Sequence, residues 1–119
     1  MSPIKDNMKI TRVSEVQSQQ NPHHVDARAI YSSPHAMAVV ITLQPGEALK
    51  KHITPVDVFF YVLEGTGIIE IGEEKELVSK DSLVESPARI PHRWSNESDQ
   101  VFRVLVVKVP KPIEETKLL

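Results

Sequence analysis

The chain contains no cysteine. That excludes disulfides, thiolate metal sites and cysteine nucleophiles, and it is compatible with a reducing compartment. Glycine is also scarce, with four in 119 residues. None sits in a Gly-x-Ser-x-Gly elbow or a glycine-rich phosphate loop. There is no basic excess, since the formal charge is −2. Pairs such as Lys50-Lys51 therefore read as solvated surface, and no nucleic-acid partner is expected. Long apolar runs are missing as well. Residues 1–10 hold no signal-peptide core, and a run such as 104–107 is far too short to cross a bilayer. No membrane partner and a cytoplasmic location are expected. Nowhere does a helical period persist for three turns.

What the chain does have is a series of short β-branched runs punctuated by turns. A hydrophobic fraction of 40% with 25% charge is enough for one folded core. Residues 36–43 form a compact apolar run closed by Gln44-Pro45-Gly46. Residues 58–63 form a second run, and Gly65-Thr66-Gly67 reverses the chain into 68–71. Gly72 turns it again into 75–78, and 82–85 is a further short strand. Residues 101–109 are apolar on nearly both faces, which places that strand inside a sheet. The pattern predicts an all-β barrel or sandwich.

The flanks are less informative. Residues 1–35 are expected to be an N-terminal arm packing on the barrel or on a partner subunit, with one short strand at 9–13. A polar turn follows at 18–22. His23 and His24 read as a surface loop, because neighbours on a strand face opposite ways and cannot share one metal. Residues 36–110 are the barrel. Residues 111–119 are a tail, with room for one or two helical turns over 113–119.

Two histidines stand in the informative part. Residues 52 and 54 share one strand face; Val58 and Phe60 share one face of the next strand, with Asp57 and Phe59 on the other. If His52 points inward, Thr54, Val58 and Phe60 become its neighbours. By the same alternation His92 and Trp94 share a face. Apolar and aromatic walls with a few convergent polar groups are the usual make-up of a small-molecule site, and also of a filled barrel core. Arg89 and Arg93 flank His92, either to meet a carboxylate or phosphate at the mouth or as solvated loop residues. The carboxylates Glu70, Glu73, Glu74 and Glu76 surround a hairpin turn and read as solubilising rather than as an acid–base pair.

Gly46-x5-His52, Pro55 and Tyr61-Val62-Leu63-Glu64-Gly65 resemble the first motif of the cupin superfamily. Asp81, Pro87-Ala88-Arg89-Ile90-Pro91-His92 and Asn96 resemble its second. The resemblance spans about residues 36 to 110 and implies an all-β, double-stranded β-helix (jelly-roll) cupin barrel, usually a homodimer. It also implies a metal site of three histidines and a glutamate, from which this chain departs. The second histidine position is Thr54 and the glutamate position is Val58. Asp57 is one residue out of register. Lys80 and Arg89 stand where the family has glycines, and the spacing to Pro87 is one residue longer.

The resemblance therefore leaves His52 and His92 as candidate ligands of a divalent transition metal (Zn, Fe, Mn, Ni or Cu). Further donors would come from His35, from His23 or His24 of a second copy, or from a substrate. The first expectation is a small-molecule-binding cupin whose ligand contacts His52, Thr54, Val58, Phe60, His92 and Trp94; the ligand class includes an anion or a sugar-like molecule. The alternative is a metal-dependent enzyme of dioxygenase or isomerase type with a rearranged two-histidine site, or a metal-free acid–base variant.

Overall fold

The computed structural model describes residues 7–114 and 116–119. Its strands are β1 (Asp26–Ser33), β2 (Ala36–Leu43), β3 (His52–Ile53), β4 (Asp57–Glu64) and β5 (Thr66–Ile71), followed by β6 (Glu74–Ser79), β7 (Leu83–Ser86), β8 (His92–Ser95), β9 (Phe102–Val109) and β10 (Lys117–Leu118). They form two five-stranded sheets, ordered β1-β2-β9-β4-β7 and β10-β3-β8-β5-β6, and the pairings are antiparallel. This is the expected jelly roll. No helix among the described residues is long and apolar enough to cross a membrane.

The apolar run ending at Val109 is indeed interior: β9 pairs with β2 on one side and β4 on the other. Its burial alternates, with Phe102, Val104 and Val106 turned inward. Facing them across the barrel is Trp94, fully buried, with its ring centroid 5.0 Å from that of Phe102 and 5.5 Å from that of Phe60. These rings hold the two sheets together, and aromatic area of this kind dominates a small core.

Two glycines make that packing possible. Gly65, at φ +77, carries the reversal between β4 and β5, and a side chain there would run into the carbonyl oxygen of Val101. Gly67 faces the Phe102 ring so closely that a Cβ would sit 2.6 Å from it.

Three sequence expectations are corrected. The predicted strand at 9–13 is absent; the chain there is irregular and ends in a 3-10 turn, Val13–Glu15. The stretch Asp26–Ser33 is instead a full strand, paired with β2 across a tight turn, so the barrel sheet begins ten residues before the expected boundary at 36. The reason is that an edge strand with a polar outer face shows little apolar alternation. The tail forms no helix in its described part: Lys117 and Leu118 pair with Ile53 and His52, because β3 would otherwise present an unpaired edge.

Gly67→Ala should lower unfolding stability by roughly 1–3 kcal/mol, the usual cost of overpacking a filled core. Urea unfolding followed by circular dichroism checks this, and an unchanged midpoint would contradict the packing described.

Candidate functional site

The barrel encloses a cavity of about 220 Å³. A wider open depression of about 700 Å³ runs along residues 18–25, but His24 is its only ionisable side chain. The inner cavity is the candidate site because both sheets and residues of the arm direct polar and basic side chains into it.

The structure brings His52, Thr54, Val58, Phe60, His92 and Trp94 together as its lining. Cross-strand register explains the histidines: His52 of β3 and His92 of β8 are direct ladder partners, with ring centroids 4.6 Å apart and nearly perpendicular. Phe60 reaches the His92 ring edge-on at 5.4 Å. Asp57 faces out, as alternation requires, and its Oδ1 accepts the Ala88 backbone N–H. Of the flanking arginines, Arg93 donates from Nε to Glu70 Oε2 at 2.6 Å, so its charge is already matched. Arg89 adopts φ +66 in the turn before β8, the left-handed conformation that the family's glycine would supply.

Three residues that shape the chemistry of the site escaped the sequence reading. His23 is not a surface-loop residue: its ring lies 4.8 Å from that of His52 and it lines the cavity. Its placement comes from Asn21, whose Oδ1 accepts the N–H groups of His23 and Val25, and from the left-handed turn at His24, φ 57. That turn sends His24 outward. Ser86 ends β7 on its inward face, with Oγ 2.7 Å from His92 Nδ1. Lys108 is the last inward position of β9, two residues beyond Val106, and it too lines the cavity. Strand register carries the signal for Lys108, since a count of every second residue from Phe102 arrives at it. His35 is exposed in the β1–β2 turn, away from the cavity lining.

The hydrogen bonds fix the imidazoles. The backbone of Lys50 serves two of them, since its carbonyl accepts from His52 Nδ1 at 2.7 Å and its N–H donates to His23 Nδ1 at 2.9 Å. His52 therefore carries its hydrogen on Nδ1 and keeps the Nε2 lone pair open, whereas neutral His23 carries its hydrogen on Nε2. His92 is held at both nitrogens, by Ser86 at Nδ1 and by Thr54 Oγ1 at Nε2, 3.3 Å away. The indole Nε1 of Trp94 is the one buried side-chain polar atom without a partner among the described residues.

With this geometry, likeness to known proteins is decisive. A family model described as "Cupin domain" matches residues 39–108, more than half of the chain. The chain belongs to the cupin family. A Methanocaldococcus jannaschii protein described as uncharacterized is 31% identical over 72 residues, which cover 60% of this chain and 57% of that protein. The match thus spans little more than half the length of that relative. Among solved structures, the Thermus thermophilus protein TT1209 is 30% identical with a TM-score of 0.76, covering 88% of this chain and all of its own. The polyketide cyclase RemF from Streptomyces resistomycificus is 18% identical with a TM-score of 0.81, over 95% of this chain and 86% of its own. The latter likeness is one of fold.

The residues of this cupin do not fit the family's metal site. Thr54 and Val58 occupy two of the four ligand positions, and both ring nitrogens of His92 are engaged by hydroxyls. Among the described residues, no three His, Asp or Glu side chains are arranged to hold an ion.

The electrostatics follow from burial. Desolvation, reinforced by His52 and Lys108, lowers the His92 pKa from 6.5 to about 3; desolvation and His52 lower that of His23 to about 4. His52 is lowered by burial too, partly opposed by its bond to the Lys50 carbonyl. Burial lowers Lys108 from its usual value. At neutral pH the three imidazoles are uncharged.

Because the folded pKa of His92 lies below its unfolded value, the unfolded chain takes up a proton first as pH falls. Stability is full above about pH 6.5 and is lost progressively toward pH 3. In His92→Gln the loss between pH 7 and pH 4 should be smaller by about 3 kcal/mol. Urea midpoints across that range measure it, and equal acid sensitivity of variant and wild type would contradict a desolvated His92.

Proposed function

We propose that this cupin holds a small organic anion in its barrel cavity, with Lys108 as the cationic anchor. The observation that carries the reading is that an inward-facing lysine has no carboxylate near it. The described cavity lining contains no Asp or Glu, and no ion pair to Lys108 exists among the described residues. A half-buried ammonium without a counter-charge is disfavoured, and an anion brought by the ligand offsets that cost.

The other walls suit the carbon part of such a ligand. Met37, Val39, Val58, Phe60 and Val106 are apolar, and His52 Nε2 supplies an acceptor. The volume of about 220 Å³ is below that of a drug-sized site, which favours a compact molecule. Gln19, Asn21, Pro22, His23 and Val25 of the arm, with Thr116 and Leu118 of the tail, complete the lining.

Trp94 is the only tryptophan, and its fluorescence reports on the cavity. Titration with acetate, lactate, succinate and benzoate, on protein stripped with a chelator, should give a saturable response to at least one acid. The matching primary amide should give none. Lys108→Met should weaken binding by at least about tenfold, or about 1.4 kcal/mol. An amide that binds as well as its acid would sink the proposal. Binding that instead needs added metal, and is lost in His52→Ala/His92→Ala, would favour the metal-dependent reading.

A further inference from the structure

We propose that the Lys108 amine forms an imine with the carbonyl carbon of a small aldehyde or ketone held in the barrel cavity. The inference rests on the cavity being a ligand site and not on the ligand being an anion.

A lysine needed only for solubility would lie on the outward face of β9 or beyond its end. Lys108 instead follows Phe102, Val104 and Val106 on the inward face. In register it stands between Met37 of β2 and Val58 of β4, so its stem runs along apolar wall. No carboxylate among the described lining residues holds the amine as an ammonium. Burial shifts the amine toward its neutral form, and the nearest ionisable neighbours are histidines that are themselves reluctant to charge. Desolvation in an apolar pocket beside basic groups is how a lysine becomes a nucleophile near neutral pH.

The chemistry balances without a further reactant. The nitrogen lone pair of Lys108 adds to the carbonyl carbon as the carbon–oxygen π pair moves to oxygen, which takes a proton. The resulting carbinolamine loses that oxygen as water; both amine hydrogens leave in the process and a C=N bond remains. Proton movement needs a base that is unprotonated and faces the cavity. His52 qualifies, because its Nδ1 hydrogen is committed to the Lys50 carbonyl and its Nε2 lone pair is open.

The test is reductive trapping on the full chain. Protein is incubated with limiting glyoxylate or, separately, propanal in the presence of cyanoborohydride, then digested and mapped by mass spectrometry. The proposal expects Lys108 to be modified at least tenfold faster than exposed lysines such as Lys51, Lys75 and Lys117. Mapping in the wild type makes the result independent of whether Lys108→Met folds; in a folded Lys108→Met protein the fast phase should vanish. Modification spread evenly over surface lysines would overturn the inference, and the anion reading would still stand if carboxylates quench Trp94. Selective trapping of propanal at Lys108 with no carboxylate response would support the imine and remove the anion reading.

Discussion

Burial of basic groups without an acid to match them is the constraint on which the site depends. Beside Arg93, which is paired with Glu70, three imidazoles and one amine converge on a cavity whose described lining holds no carboxylate, while the chain as a whole is slightly acidic. The imidazoles meet this constraint by staying neutral. The amine has no comparable escape short of losing its proton, so the cavity suits either a ligand that carries negative charge or one that consumes the amine's lone pair. Both proposals follow from this single imbalance.

The fold creates the imbalance through register. An antiparallel barrel turns every second residue inward, and β9 lies between two neighbours, so its inward face runs from Phe102 to Lys108 without interruption. The deep end is filled by Trp94, Phe102 and Phe60. The shallow end is left to His52, His92 and Lys108, and is capped by His23 from the arm. The Lys50 peptide ties cap to wall by bonding one histidine through its carbonyl and another through its N–H. The hydroxyls of Thr54 and Ser86 occupy the two ring nitrogens of His92.

Much of the barrel was legible because its signals are local. Strand β9 advertised its interior place by being apolar on both faces, and alternation from His52 and Trp94 collected six cavity residues that the structure places together. The rest depended on long-range events. His23 enters the cavity only because Asn21 and the left-handed turn at His24 fold the arm back over the mouth. Strand β1 has a polar outer face and is stabilised by pairing with β2, so its own residues carry little strand signal. Lys108 was hidden by its company, since a single charge at the end of an apolar run reads as a terminus unless the register is counted through.

The most direct test of the account is a long-range proton–nitrogen NMR spectrum of the histidine side chains between pH 7 and pH 5. The account predicts neutral His23 and His92 throughout, a His52 that gains its proton only below the ordinary histidine range, and in the neutral rings the hydrogen on Nδ1 of His52 and on Nε2 of His23. A His92 that titrates near pH 6.5 would mean that the ring is not desolvated, a His52 protonated at Nε2 alone would mean that its bond to the Lys50 carbonyl is not made, and either would contradict the central claim.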